Sequence, residues 1–450
     1  MPSDPRPRSD ESHCRIESGW WGFLACLTAA LIALSAVVAV VAGPWLLTED
    51  SALFQHGGWY VTQGAVPYVD FWDLKPPLIY AVTAALALAA GGDVLLLHSL
   101  SVVAAGVAIV VSVPLVGQLA HDATGDGTAA FAAGLVVLAV PATYGLPPFG
   151  IRPKYFLLCF GVVALLLATR GRSGASGVAA AIASGFHQQG LGIALLVVAI
   201  AADRDGLRAA GRTVVGGLSV AAAVVLPFAL AGALVPMLVE TVIVPLTVTR
   251  RYTLSERLVD IALALGYASA LIPVAAYGWL RSNVGRARIA VSADGGRTPP
   301  SWWVPVGGVL YGAAALFIDM EGSLDMILWL PFLAVGVGQV VAAVRRDRRR
   351  AAVLCVLALL VAAGPAWYLA PNPPLSGTLE EEHDRHAVAD FEHLPKEPAN
   401  PDVRTVYWDK RQPDRCHYRL SQKERVWIHL TDATFEDRTC GDWPSGEPPI

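Results

Sequence analysis

The chain has 450 residues, of which 54% are hydrophobic and only 16% are charged. A soluble protein of this length carries about 25% charged residues, so the composition excludes an ordinary water-soluble enzyme and predicts an integral membrane protein. The net charge of −4 is uninformative, because the charges lie in separate segments. No phosphate-binding loop, dinucleotide fingerprint or zinc-type Cys/His spacing occurs in the sequence, and no nucleic-acid partner is expected.

Apolar blocks of helix-spanning length recur from Trp20 to Leu369, and a spanning helix needs roughly 20 apolar residues. We predict a cytoplasmic tail over 1–19 and an anchor helix over 20–47. The anchor block is too long for a signal-peptide core and has no small-residue cleavage pattern, so we expect it to be retained. An outer loop over 48–93 follows, in which the short run 76–90 is either a span or a helix on the outer membrane surface.

Arg clusters decide the topology of the remaining blocks, because cytoplasmic loops are enriched in Arg and Lys. Nearly every basic cluster is cytoplasmic if 76–90 lies on the surface, which is the option we favour. The block 176–202 is interrupted at Phe186–Gly190 and is predicted to form two short helices that meet near the outer face. The other predicted spans are 94–120, 128–146, 155–169, 213–235, 258–280, 302–318, 326–344 and 351–370.

These blocks predict an all-α polytopic membrane domain over 20–370, with about eleven transmembrane helices and outer juxtamembrane helices. Beyond it the sequence becomes polar, and strand-like runs predict a small extracytoplasmic α+β or β domain over 371–450. Cys416 and Cys440 lie in this segment. They are candidates for a disulfide in an oxidising compartment.

The loop after the first helix gathers carboxylates, aromatic side chains and one lysine at the membrane surface. These residues are Glu49, Asp50, Tyr68, Asp70, Trp72, Asp73 and Lys75. A carboxylate near hydrocarbon is costly, about 2.5–3.5 kcal/mol at the bilayer centre. The clustering of carboxylates at one interface therefore requires an explanation. One carboxylate could act as general base toward an acceptor hydroxyl, and Lys75 could stabilise a departing phosphate. Solvated charges that cap helix ends are the alternative, and the loop alone does not decide between the two.

Further basic and polar groups are predicted at outer helix ends. Arg152 and Lys154 are suited to a phosphate contact, or they anchor a helix by reaching the lipid headgroups. His187 and Gln188 interrupt an apolar block, which favours a functional role.

Two other outer loops carry charge. Arg250 and Arg251 form a basic patch on the outer side, against the positive-inside trend. Donor phosphate binding and lipid headgroup contact are both open as the role of this patch. Asp319, Glu321 and Asp325 form an acidic loop that is interpreted as solvated surface.

The spaced series in the first outer loop resembles that of the GT-C glycosyltransferase superfamily. It is closest to the branch that contains protein O-mannosyltransferases, lipid A aminoarabinose transferases and archaeal dolichyl-phosphate-mannose transferases. Those enzymes carry an Asp-Glu pair after the first helix, a glycine further on, then Pro-Tyr, acidic residues and Lys-Pro-Pro-Leu. Here Glu49 and Asp50 hold the pair in reversed order, Gly64 is the glycine, and 67–78 contains the later element. The resemblance covers roughly residues 20–235.

The resemblance implies a multi-pass glycosyltransferase of an archaeal plasma membrane, with its active site outside the cell. The implied donor is a dolichyl- or polyprenyl-phosphate sugar, first of all mannose, and the implied acceptor is an extracytoplasmic glycan or protein. Glu49 or Asp50 would deprotonate the acceptor in an inverting transfer, and the reversed order leaves open which one. The donor phosphate would be held by Lys75, Arg152, Lys154, His187, Arg250 and Arg251. Acceptor or sugar contacts would come from Tyr68, Asp70, Trp72, Asp73 and Gln188.

Other interpretations stay open on the sequence alone. A divalent metal, Mg or Mn, is possible at the carboxylates, although no ligand spacing demands one. A secondary transporter or lipid-linked sugar flippase would be indicated by internal repeats and by ionisable residues near helix centres, which the sequence does not show. A catalytically silent relative that binds a lipid carrier is favoured by the reversed acidic pair and by His187, where the family commonly has a lysine.

Overall fold

The computed structural model of the chain is almost entirely α-helical. It describes residues 11–42, 46–47, 49–69, 73–243, 245, 253–289, 302–317, 322–344, 346–368 and 377–378. Apart from the last pair, the predicted domain over 371–450 and its two cysteines lie outside the described residues. The domain and the disulfide therefore stay predictions.

The first half of the chain forms nine helices within its described residues. They are α1 (Glu11–Ala42), α2 (Glu49–Thr62), α3 (Leu78–Ala90), α4 (Val94–Thr124), α5 (Gly127–Leu138), α6 (Ala142–Gly145), α7 (Pro153–Thr169), α8 (Ser173–Phe186) and α9 (Gly190–Asp205). A short 3₁₀ turn, Pro147–Phe149, precedes α7. One two-residue ladder pairs β1 (Leu46–Leu47) with β2 (Gly377–Thr378) in antiparallel register.

The second half contributes seven further helices within its described residues. They are α10 (Leu207–Leu230), α11 (Leu234–Leu238), α12 (Leu254–Leu265), α13 (Leu271–Ile289), α14 (Trp303–Phe317), α15 (Leu330–Ala343) and α16 (Asp347–Tyr368). A π-helical turn, Val239–Ile243, extends α11. Two 3₁₀ turns, Gly266–Ala270 and Ser323–Met326, lie before α13 and α15.

Within the described residues, four helices are long and apolar enough to cross a membrane. They are Gly19–Val41, Leu95–Thr124, Leu207–Leu230 and Leu254–Arg281. A fifth span results if Gly127–Leu138 and Ala142–Phe149, which meet at 70°, are taken as one bent element. The all-α, multi-spanning architecture is therefore confirmed. The count of about eleven spans stays a prediction, because six further apolar helices are shorter than the length of a simple span.

One of the shorter segments behaves as the sequence predicts, whereas the surface position of α3 stays a prediction. Helix α3 has 13 residues and rises about 20 Å, less than the roughly 30 Å hydrocarbon layer. The apolar block 176–202 breaks after Phe186 and resumes at Gly190, giving α8 and α9. These two helices pack against each other, so the chain reverses at the break.

The core lies around α5 and α15. From Gly127 to Leu138 nearly every residue of α5 is buried, as are Leu330–Gly338 of α15, and a helix that is apolar all round belongs in the interior. At the periphery, α8 and α10 cross closely because glycines face the contact. A Cβ on Gly177 would lie 1.9 Å from the Thr213 carbonyl oxygen. Small residues are typical of helix contacts in membranes.

Charged side chains gather at two opposite ends of the bundle. The basic end, where α7 finishes, contains two ion pairs, Arg170 with Asp122 and Arg350 with Asp126. Arg204 also lies there and donates to the Thr169 carbonyl. The site end, where α7 begins, contains Asp50, Lys75, Arg152, Lys154 and Asp325. Helix α7 has 17 residues, so the two ends lie about 25 Å apart.

Candidate active site

The site begins where the first turn of α2 meets the residues before α7. Gly150 has a φ of 113°, a left-handed conformation, and a Cβ there would lie 2.7 Å from Ser51 Cβ. Glycine therefore allows the two backbones to approach. The Ser51 hydroxyl donates to the Ile151 carbonyl at 3.1 Å. This contact brings Arg152 Nη1 to 3.2 Å from Asp50 Oδ2.

The outer loop enters the site through a strained tyrosine. Tyr68 is fully buried and has a φ of 69°, which costs a non-glycine residue roughly 1–2 kcal/mol. Its ring packs against Phe228 at a centroid distance of 5.5 Å. Its hydroxyl donates to the Lys75 carbonyl at 2.7 Å. The strain is tolerated because the ring and the hydroxyl fix the loop at Lys75.

Asp73 is a buried carboxyl group in the same loop, with only 1% of its surface exposed. The Tyr80 hydroxyl donates to its Oδ2, and its backbone N–H donates to Glu240 Oε2 at 3.2 Å. Burial raises the pKa of Asp73 to about 6, although the charge of Lys75 and the hydrogen bond from Tyr80 act in the opposite direction. Asp73 is therefore partly protonated in mildly acidic solution.

Lys75 is the central cation of the site. Its charge opposes the rise in the pKa of Asp73 and contributes to the lowered pKa of His187 and of Asp325, so the ammonium lies near all three residues. Among the described residues it has no ion-pair partner within 4.0 Å. A half-buried ammonium without such a partner is suited to take an anionic ligand.

His187 lies in the break between α8 and α9 and is buried. Burial, together with the charges of Lys75 and Lys154, holds the pKa of His187 well below its usual range. The imidazole is therefore neutral at neutral pH. Its Nδ1 accepts from the Gln189 backbone N–H at 3.3 Å, which places the proton on Nε2. His187 thus offers a neutral N–H donor.

Lys154 and Asp325 form an ion pair across the site, with 14% and 17% of their side chains exposed. Burial alone would raise the pKa of Asp325, but the charge of Lys154 and its hydrogen bond outweigh it and lower the pKa. Gln189 Nε2 also donates to the Asp325 carbonyl at 3.0 Å. The interpretation of Asp325 as solvated surface was therefore wrong. The start of α7 covers this carboxylate and supplies its partner.

The structure brings together most of the predicted site residues, namely Asp50, Tyr68, Asp73, Lys75, Arg152, Lys154, His187 and Gln188. Glu49 is the first residue of α2, but its side chain lies outside what the structure describes. Asp70, Trp72, Arg250 and Arg251 are likewise outside the described residues, and their roles stay predictions.

Three residues predicted to contact acceptor or sugar are engaged inside the protein. Tyr68 and Asp73 are buried and bonded as described above. The Gln188 Nε2 group donates to the carbonyls of Leu74 and Thr241, the latter at 3.0 Å. These contacts hold the loop around Lys75 in place. They give no structural support to a direct contact between sugar and Tyr68, Asp73 or Gln188.

Glu240 is the main residue that the sequence interpretation missed, together with Tyr80 and Gln189. It is fully buried in the π-helical turn after α11. A single carboxylate inside an apolar stretch is a signal of function, and that signal would have singled out Glu240. No cluster of three or more His, Cys, Asp or Glu suited to a metal occurs in the described part of the chain.

The chemistry of the site follows from its charges. Arg152 immediately precedes α7 and Lys154 lies in its first turn, where the helix dipole is positive, and the charge of Lys75 acts on Lys154. A helix N-terminus with added cations is a site for an anion such as phosphate. The Asp50 carboxylate lies beside this cation cluster with 45% of its side chain exposed, so it is accessible to a second substrate.

The fold is similar to that of the crystal structure of ArnT from Cupriavidus metallidurans bound to undecaprenyl phosphate. The TM-score is 0.50 at 15% sequence identity, and the match covers 87% of this chain and 69% of that chain. At this identity the likeness concerns the fold, which is the GT-C-type fold that the sequence predicts. The class is thus that of a multi-pass membrane protein with a GT-C architecture.

Sequence comparison identifies the family. A family model described as DolP-mannose mannosyltransferase matches residues 64–226. Over 446 residues the chain is 30% identical to the dolichol phosphate-mannose mannosyltransferase of Haloferax volcanii, covering 91% of this chain and 94% of that relative. The chain therefore belongs to the dolichol phosphate-mannose mannosyltransferase family. The prediction of a membrane glycosyltransferase is confirmed, and the transporter interpretation is set aside.

Proposed function

We propose that the protein transfers mannose from a dolichyl- or polyprenyl-phosphate carrier to a glycan or protein acceptor outside the cytoplasm. The observation that carries this proposal is the convergence of Lys75, Arg152 and Lys154 beside Asp50 at one end of the helix bundle. Family membership supports the donor class, and the cation cluster matches the charge of a lipid-linked phosphate.

The donor phosphate is bound by the cation cluster. Arg152 and Lys154 stand at the N-terminus of α7, where each is paired with one carboxylate, Asp50 and Asp325, so Lys75 supplies the additional positive charge. As mannose departs, negative charge builds up on the phosphate, and cations placed in advance stabilise that charge. The neutral His187 adds an N–H donor to the same group.

The acceptor hydroxyl is deprotonated by Glu49 or Asp50. Arg152 holds the Asp50 carboxylate at 3.2 Å, which orients it beside the phosphate site. A general base typically contributes 10²–10⁴-fold in rate. A single displacement by the activated hydroxyl inverts the configuration at the sugar carbon.

The site faces away from the cytoplasm in this proposal. The basic end carries Arg170, Arg172, Arg204 and Arg350, and the positive-inside rule assigns such clusters to the cytoplasm. The site end is then extracytoplasmic, where a lipid-linked sugar can serve as donor. Labelling of single cysteines introduced at each end, in sealed vesicles, tests this orientation.

The experiment that tests the function is transfer of labelled mannose from dolichyl-phosphate mannose to an extracytoplasmic glycan extract. Membranes with the wild type are compared with Glu49→Gln, Asp50→Asn and Lys75→Ala. We expect transfer by the wild type and a loss of at least about a hundredfold in one of the two carboxylate variants. Added EDTA decides whether a divalent metal is required.

The matched control is Asp122→Asn, which removes a carboxylate paired with an arginine at the basic end and is expected to leave transfer unchanged. If all site variants equal the wild type, the assignment of the site is wrong. A wild type that is inert with several lipid-linked donors supports the catalytically silent relative instead.

A further inference from the structure

Three consecutive residues, 73–75, have their main chain held by side chains, two of which come from distant parts of the sequence. The Asp73 N–H donates to Glu240 Oε2, the Leu74 carbonyl accepts from Gln188 Nε2, and the Lys75 carbonyl accepts from the Tyr68 hydroxyl. We call Glu240, Gln188 and Tyr68 the Lys75 clamp.

Glu240 is the unusual member of the clamp. It is fully buried, and an isolated buried carboxylate is costly unless it has hydrogen-bond partners. It sits in the π-helical turn Val239–Ile243, an irregularity that often occurs at functional sites. Gln188 joins this turn to the α8–α9 break, because its Nε2 also donates to the Thr241 carbonyl at 3.0 Å. The loop, the turn and the break therefore form one connected unit.

We propose that Glu240 and Gln188 are positioning residues that hold the Lys75 ammonium against the donor phosphate, an inference that rests on the proposed function of Lys75. A lysine side chain is flexible along its four-carbon stem, and this one has no ion-pair partner among the described residues to fix it. Its main chain must then define where the charge lies. A displacement of about 1 Å can cost a hundredfold in rate.

A double-mutant cycle tests the clamp. Glu240→Leu removes the acceptor for the Asp73 N–H, and we expect kcat/KM for dolichyl-phosphate mannose to fall about tenfold or more. Glu240→Gln keeps an acceptor oxygen and is expected to retain most of the activity. In a Lys75→Ala background, Glu240→Leu is expected to cause no further loss, because residues that act through one group are not additive.

A residue that serves only folding gives a different result. Its removal would lower activity by the same factor with and without Lys75, and that outcome overturns the inference, as does a Glu240→Gln variant as impaired as Glu240→Leu. Thr213→Val is the control, because Thr213 is buried and bonds within its own helix at 3.1 Å. If Glu240→Leu does not fold, Gln188→Leu takes its place in the same cycle.

Failure of the proposed function is distinguished by a binding measurement. If the wild type binds dolichyl phosphate but transfers no mannose, the function is wrong. The clamp then requires that Glu240→Leu weakens dolichyl phosphate binding only when Lys75 is present. If the wild type transfers mannose but the effects of Glu240→Leu and Lys75→Ala are additive, the proposed function stands and the clamp is refuted. If the wild type neither transfers mannose nor binds dolichyl phosphate, both the proposed function and the clamp are refuted.

Discussion

The two ends of the helix bundle place their cations differently on the helices. At the basic end, Arg170 follows the last residue of α7, Arg204 donates to the Thr169 carbonyl, and Arg350 donates to the Val344 carbonyl at 2.6 Å. These guanidinium groups meet the negative ends of helix dipoles. At the site end, Arg152 and Lys154 stand at the positive N-terminus of α7.

The two ends therefore differ in how the helix dipole acts on their cations. Cations at helix C-termini are favourable, typically by about 0.3–1 kcal/mol each, and the same charge at an N-terminus is unfavourable. At the site end the interaction of Arg152 and Lys154 with the dipole of α7 therefore costs stability, and the carboxylates of Asp50 and Asp325 compensate that cost in part. A bound phosphate would offset that cost.

The largest test of this comparison removes one partner of the Lys154–Asp325 pair. Lys154→Met leaves the Asp325 carboxylate buried without its cation, which is expected to cost about 3–5 kcal/mol of stability. The double variant Lys154→Met/Asp325→Leu should regain most of this loss. Thermal unfolding in detergent measures both.

The control at the basic end is Arg350→Met. The partner carboxylate of Arg350, Asp126, still accepts from the N–H groups of Thr128 and Ala129 at 2.8 and 3.0 Å. The loss of stability in Arg350→Met is therefore expected to be smaller, about 1 kcal/mol. Equal losses at both ends would contradict the view that the site end is the more demanding environment for charge.

A pH series on Asp73 gives the next largest effect. The folded-state pKa of about 6 lies above the ordinary 3.8, so the ionised carboxyl destabilises the fold above pH 6. Asp73→Asn should therefore be more stable than the wild type at pH 8, by up to about 3 kcal/mol. This gain should shrink as the pH falls from about 6 to about 4, where the unfolded chain is protonated as well.

Asp126→Asn is the comparison at the basic end. Its carboxylate is paired with Arg350 at 3.0 Å, so we expect no gain in stability at pH 8. If Asp73→Asn shows no gain at pH 8 either, burial does not raise the pKa of Asp73, and the two ends treat carboxylates alike.

Much of this contrast could be predicted from the sequence, because it depends on local patterns. Apolar blocks separated by charges predict the helices, and the interruption at Phe186–Gly190 predicts the break between α8 and α9. Asp50, Lys75 and Arg152 stand next to helix ends in the sequence, so their neighbourhood at one end of the bundle follows from the helix order alone.

The long-range partners could not be predicted in this way. Asp73 and Glu240 are 167 residues apart, and Lys154 and Asp325 are 171 apart. Hydropathy describes whether a segment is polar, but it does not describe which helix end covers it. Asp325 was therefore interpreted as solvated surface, and Tyr68 and Gln188 were assigned to sugar contacts although their polar groups bind backbone carbonyls.

The smallest expected effect concerns two arginines, each of which is paired with one aspartate. Arg152 binds Asp50 at 3.2 Å, and Arg170 binds Asp122 at 2.9 Å. Both pairs are partly exposed, so Arg152→Gln and Arg170→Gln should each change stability by less than about 1 kcal/mol. Only Arg152→Gln is expected to lower mannose transfer, by about tenfold, because it removes the charged hydrogen bond that we propose to the donor phosphate.

Since the two substitutions remove the same group from the same type of pair, their difference in transfer isolates the role of position. Steady-state transfer at several donor concentrations measures it, with unfolding temperatures recorded on the same samples. An Arg170→Gln variant that loses activity as strongly as Arg152→Gln would show that both ends act in transfer. Cations at the helix N-terminus would then have no special part in binding the phosphate.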